Sequence, residues 1–240
     1  IFFISAFLII KIRFSLQENN MKKKVLGKEY FISLRDGFHY IFSHGNLMKL
    51  CFLCILINSA VVPFDALLAP IAAEMFQGDA QIVSLLSVSV SIGTISGSLA
   101  YSKMQEEKKS NALVTICGII LGAYYIFMAL ISRYIPVPLV QKVLLVIGSV
   151  IIGTALGLMI TYVQVKFVKE VTKDYIGRGS AIRYSCAPIV SFLISALYKA
   201  SAVKTSSVFV GSGMIIIVLF ALANKVTFTS ASEVEEPVRS

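Results

Sequence analysis

Charge is what this 240-residue chain has least of. Only 15% of its residues are Asp, Glu, Lys or Arg, against 57% hydrophobic, and its mean hydropathy is +0.82. A soluble domain carries roughly 25% charged residues, so this composition excludes an ordinary water-facing surface. Histidine is nearly absent: His39 and His44 are the whole supply. That leaves no material for a His-rich metal cluster or a Ser/His/Asp arrangement, and no Gly-rich phosphate loop appears. The sequence therefore calls for no cofactor, and enzyme chemistry has no constellation to stand on. The four cysteines (Cys51, Cys54, Cys117 and Cys186) lie in or beside apolar runs. Cys51 and Cys54 have redox-pair spacing without companion ligands, so they read as small residues on a membrane helix and imply no disulfide framework. The opening run IFFISAFLII lacks a preceding basic segment; Lys11 and Arg13 follow it instead, unlike a secretory signal.

What the chain does have is a succession of long apolar runs. Crossing the hydrocarbon takes about 20 apolar residues as helix, whereas a barrel would show short alternating strands. The runs predict an all-α membrane protein. Residues 1–16 read as the end of a membrane helix, because the chain starts at Ile1 within an apolar run. A polar linker, 17–45, follows, with Phe31, Leu34, Phe38, Ile41 and Phe42 at helical spacing, as in an amphipathic helix on a membrane surface. Residues 46–226 then hold a six-helix bundle, with spans at about 46–72, 81–102, 111–132, 139–164, 181–200 and 206–226. A polar tail, 227–240, closes the chain.

Charge placement tests that topology, because Lys and Arg gather in cytoplasmic loops. With the linker cytoplasmic and the spans alternating, 18 of the 22 basic residues fall on that side. Arg133, Lys142, Lys199 and Lys204 alone fall on the other. The linker and C-terminus are thereby expected in the cytoplasm and the spans in the cell membrane. The net charge of +9 is then accounted for by orientation, and nucleic acid is not expected as a partner.

Three spans carry glycines four residues apart: Gly93/Gly97, Gly118/Gly122 and Gly153/Gly157. Each pair makes a strip where another backbone can approach closely, so a compact bundle is expected. Serines crowd the 82–99 run, suiting a tight or sliding interface, or simple static packing. Polar residues inside spans are functional candidates. Asn58 and Asp65 stand among Pro63 and Pro70, which predicts a bent or locally opened segment. Asp65 lies 16 residues past Lys49, roughly 24 Å along a helix, near the far mouth. It reads either as a cavity carboxylate for a cationic substrate or a proton, or as a carboxylate at the interface or paired across helices. Glu74 and Asp79 read as loop charges. Thr161 and Gln164 share a face near the cytoplasmic end.

Several segments, in order, resemble the C-terminal half of a major facilitator superfamily transporter, in its bacterial drug, macrolide and siderophore exporter branch. LRDGFHYIFSHGNLMKL is similar to the stretch leading into that family's seventh helix, and INSAVVPFDALLAPIAAEMF to that helix's exit. GTISGSLAYSKMQEEKK resembles a degraded copy of the superfamily's loop motif. It keeps Gly97 and the basic Lys103, Lys108 and Lys109, with Tyr101 where the motif has Asp. TYVQVKFVKEVTKDYIGRGSAIRYSCAP resembles the segment between helices ten and eleven, with Gly177 and Arg178 and a possible acidic partner in Asp174 or Glu170. Arg178 also reads simply as a positive-inside charge.

The resemblance implies a twelve-helix fold of two six-helix halves that rock about a central cavity. The partners implied are the bilayer, a missing N-terminal half, a small-molecule substrate and protons. Asn58, Asp65, Thr154, Thr161 and Gln164 would lie near substrate. Lys103, Lys108, Lys109, Asp174 and Arg178, with Gly97 and Gly177, would serve the cytoplasmic gate. The small-residue span 82–99 would meet the other half. The competing class is a non-transporting membrane protein, such as a degenerate remnant or an assembly subunit. The reading frame upstream of Ile1 separates them: the transporter expects six further apolar runs there.

Overall fold

The structure, a computed structural model, describes residues 28–104, 111–172, 175–177, 179–180, 192–193, 196 and 204–223. The chain divides into two compact units, Ile1–Arg35 and Asp36–Ser240. The described part of the first, residues 28–35, is the start of helix α1 (Lys28–Ser43). The second unit holds α2 (Gly45–Ala66), α3 (Ala80–Lys103), α4 (Asn111–Tyr134), α5 (Pro138–Glu170) and α6 (Thr205–Ala223). No strand occurs among the described residues.

Five helices, α2 to α6, are long and apolar enough to cross a membrane. They match five of the six expected spans. The remaining expected span, 181–200, lies outside the described residues apart from Phe192, Leu193 and Ala196, as do the 1–16 segment and the 227–240 tail. Within the linker the described residues 28–43 form α1, in which Ile41 is buried and Phe42 is 65% exposed.

The helix ends follow local chemistry. Pro63 inside α2 has no backbone N–H to give to the preceding turn, and α2 ends three residues later at Ala66. A short helical turn, Leu68–Pro70, and a π-helical turn, Ile71–Met75, follow, so the expected interruption of this segment is present. The chain then reverses at Gln77 and Gly78, whose φ angles are 56° and 80°, a conformation that favours glycine. Asp79 starts α3 by accepting the Gln81 N–H at 2.9 Å, an N-cap. Pro138 occupies the first turn of α5, where its missing N–H costs nothing. At 33 residues α5 is about 50 Å long, well beyond a hydrocarbon core of about 30 Å. The sequence expectation ended this span near 164; the helix runs on to Glu170 because KFVKE, though polar, keeps helical bonding outside the apolar layer.

Hydroxyls tie the helices together inside the bundle. Tyr125, fully buried, donates to the Ala60 carbonyl of α2 at 2.7 Å. Tyr124 shares a 2.6 Å hydrogen bond with Ser149 of α5. Phe209 of α6 packs edge-on against Tyr125, with centroids 5.2 Å apart. Interhelical hydrogen bonds in lipid contribute about 0.6–2 kcal/mol each, and here they join α4 to α2 and α5.

Helices α2 to α5 alternate in direction, and α6 starts at the same end as α5. Glu74, Asp79, Arg133, Lys142 and Lys204 all line the same end, which gathers three of the four minority cations. Lys103, Lys166 and Thr172 lie towards the other.

Candidate functional site

Among the described helices, α3 and α5 meet in a tight seam built from two of the three glycine pairs. A Cβ placed on Gly97 would collide with the Thr154 carbonyl oxygen, and one on Gly157 with that of Thr94. A Cβ on either Gly93 or Gly153 would come within 2.9 Å of the other's Cα. The obstruction in every case is backbone, which cannot rotate away. The third pair packs elsewhere: Gly118 lies under the Phe220 ring, and a Cβ on Gly122 would lie 2.7 Å from the Gly213 carbonyl of α6.

Small polar side chains flank the α3–α5 seam. Ser96 and Thr154 hydroxyls meet at 3.2 Å, and Thr161 donates to Ser98 at 3.1 Å. Thr154 also donates to its own Val150 carbonyl at 2.8 Å. The structure thus brings together Gly97, Thr154 and Thr161, named on different grounds from sequence. Toward its Lys103 end the seam closes with Tyr101 edge-on to Tyr162, centroids 6.4 Å apart. Tyr101, standing where the resembled loop motif has Asp, is buried against an aromatic.

The small residues of 82–99 divide between two faces of α3. Its glycines face inward onto α5, because only glycine admits so close a backbone. The outward face of α3 is instead apolar and exposed: Leu85, Val88, Ile92, Ile95 and Leu99 recur at spacings of three and four, with Ser84, Ser87 and Ser91 beside them.

The remaining candidates are dispersed. Asn58 is half-buried and donates within its own helix, to the Cys54 carbonyl at 2.8 Å and the Cys54 Sγ at 3.3 Å. Asp65 is exposed, two residues after Pro63 in the last turn of α2. Gln164 is exposed on α5, and Lys103 is exposed in the last turn of α3. Gly177 is exposed with open space around it, so packing does not demand glycine there. Lys108, Lys109, Asp174 and Arg178 lie outside the described residues. After α5, Tyr175 stacks on Tyr40 of α1 at 4.1 Å, and the Tyr40 hydroxyl accepts from Thr172 Oγ1 at 3.3 Å.

Two residues read as loop charges do more. Glu74 accepts both the Thr205 N–H, at 3.0 Å, and its hydroxyl, at 2.6 Å, and so caps α6. Asp79, besides capping α3, pairs with Lys142 of α5 at 2.7 Å. The Asp-Ala-Gln start of an apolar run was a readable capping signal; the Lys142 partner, 63 positions away, was not. The Lys142 hydrogen bond, followed by the Gln81 N–H, holds the Asp79 carboxyl below its ordinary range. A lowered folded value means the pair contributes above the unfolded value, near pH 4, and is lost as pH falls through the folded one. Lys142→Gln is therefore expected to lower the thermal midpoint slightly at pH 7 in detergent, followed by circular dichroism. The gap from wild type should close at the acid end of a pH series.

Five packed helices long and apolar enough to cross a membrane, with glycine seams between them, define a multi-pass membrane protein. A family model described as "Transmembrane secretion effector" matches residues 2–233. The chain belongs to this family, within the major facilitator superfamily. It is also 27% identical over 138 residues to the "Uncharacterized MFS-type transporter YvqJ" of Bacillus subtilis (strain 168). That alignment covers 57% of this chain and 32% of the relative, so the chain spans about a third of the length of the curated protein it matches. No solved structure matches the chain.

Proposed function

We propose that this chain supplies one six-helix half of a secondary active transporter. It would work by alternating access, exporting amphipathic small molecules across the cell membrane, coupled to an ion gradient with protons as the coupling ion. The observation that carries the reading is the two-sided α3. One face is sealed onto α5 through glycine, while the other presents a regular apolar stripe along its length. Such a stripe, at spacings of three and four, suits packing against further helices. The family membership and the short coverage of the relative support the same reading. A non-transporting remnant or assembly subunit is not favoured by the family match.

In this proposal Asn58, Asp65, Thr154, Thr161 and Gln164 face the substrate pathway. Asp65 draws cationic substrate near the mouth, and the Thr154 and Thr161 seam lets α3 and α5 move as one body. Lys103, Lys108, Lys109, Asp174 and Arg178, on either side of Gly97 and Gly177, make and break contacts on the Lys-rich, cytoplasmic side. The test is translocation of ethidium, an amphipathic cation, into everted vesicles containing the full-length protein. Acidifying the lumen is expected to drive uptake and an uncoupler to abolish it. Uptake indifferent to the uncoupler would rule out ion coupling.

A further inference from the structure

At the Arg133 end of the bundle, a groove of about 1010 Å³ lies between the end of α4 and the start of α6. Its two parts differ in chemistry. The rim carries Arg133, Lys204, Ser206 and Ser207. The wall below, running toward the middle of the helices, is formed by Leu130, Val210 and Met214, of which Leu130 and Met214 are exposed large hydrophobics. A polar, cationic head over an apolar, outward-open wall is the profile of a phospholipid rather than of a soluble metabolite.

The charges in the groove are unbalanced. Its carboxylate, Glu74, is occupied by the backbone and hydroxyl of Thr205. Neither Arg133 nor Lys204 forms an ion pair with a carboxylate among the described residues; Arg133 instead lies over the Tyr134 ring, 5.8 Å from its centroid. Two cations against one carboxylate leave a single positive charge, which one phosphodiester would neutralise. The depth is also right. Helix α4 has 24 residues, about 36 Å, so Arg133 and the exposed Tyr134 at its end fall at the headgroup level, where aromatic and basic side chains anchor helices. Basic pockets between membrane helices bind lipid headgroups by this chemistry.

We propose that this groove is a binding site for an anionic phospholipid of the leaflet opposite the Lys-rich side. The phosphate sits between Arg133 and Lys204, hydrogen-bonded by the Ser206 and Ser207 hydroxyls, and one acyl chain lies along Leu130, Val210 and Met214. The lipid thereby fastens α6 to α4 at the end where Glu74 already caps α6.

Native mass spectrometry of the full-length protein, released from nanodiscs of mixed phosphatidylglycerol and phosphatidylcholine, tests this. Wild type is expected to retain phosphatidylglycerol selectively. The double variant Arg133→Gln/Lys204→Gln should retain it about tenfold less, with phosphatidylcholine unchanged. Arg133→Lys, which keeps the charge, should retain it. Lys204→Gln alone, at an exposed position, should lose about threefold and decides the matter if the double variant does not fold. Equal phosphatidylglycerol retention by wild type and Lys204→Gln would overturn the site. Displacement of the lipid by millimolar inorganic phosphate would overturn the lipid assignment in favour of a free-anion site.

Discussion

Replacing Gly97 by leucine will separate α3 from α5. Even the first carbon of the new side chain would overlap the Thr154 carbonyl, and the glycine pairs above and below leave no slack. A helix normally gains up to about 1 kcal/mol when glycine becomes a better helix former. Here overpacking, typically about 1–3 kcal/mol and more against rigid backbone, outweighs that gain. The Ser96–Thr154 and Thr161–Ser98 hydrogen bonds would be stretched as well. The expected outcome is a large fall in the thermal midpoint and in the yield of monodisperse protein in detergent. Gly97→Ala should show the same effect in smaller degree. Gly177→Ala, where no atom lies within 4 Å of the added carbon, should be neutral or slightly stabilising. If Gly97→Leu melts like wild type, the seam is not a close backbone contact.

Asp65→Asn is expected to cut ethidium translocation about tenfold, the effect of losing roughly one well-placed charge contact, while leaving a neutral amphipathic probe unaffected. The carboxylate is exposed at the end of α2, just before the helix breaks at Leu67. Loss of its charge should therefore act on a charged probe and spare a neutral one. Thr161→Val, by contrast, removes the Ser98 bond at the seam and should slow both probes together. Equal loss for charged and neutral probes in Asp65→Asn would make Asp65 a structural residue and would remove the charge-selection step from the proposal.

Much of this architecture was legible in the order of the residues. Apolar run length set five helices to within a few residues, Pro63 announced the break in α2, and glycine spacing announced close approach. Which glycine strip meets which was not legible. Hydropathy gives the depth of a residue in the bilayer but not its bearing around the helix axis, so the pairing of the Gly93/Gly97 strip with Gly153 and Gly157 of α5 could not be read from the sequence. The same blindness hid the Tyr125–Ala60 and Tyr124–Ser149 bonds, whose partners lie 65 and 25 residues apart. Glu74 was misread because its partner, Thr205, lies 131 residues away. The seam threonines could be named from their polarity alone. Their serine partners could not be told from ordinary packing residues until the helices were side by side.

If this chain supplies one half of a two-half transporter, vesicles containing residues 1–240 alone should differ sharply from vesicles containing the full-length protein at matched membrane levels. Gradient-driven ethidium movement is expected with the full-length protein, and none above empty vesicles with 1–240. Equal rates from the two, with 1–240 shown to be monomeric, would mean that a single half suffices and would overturn the two-half proposal.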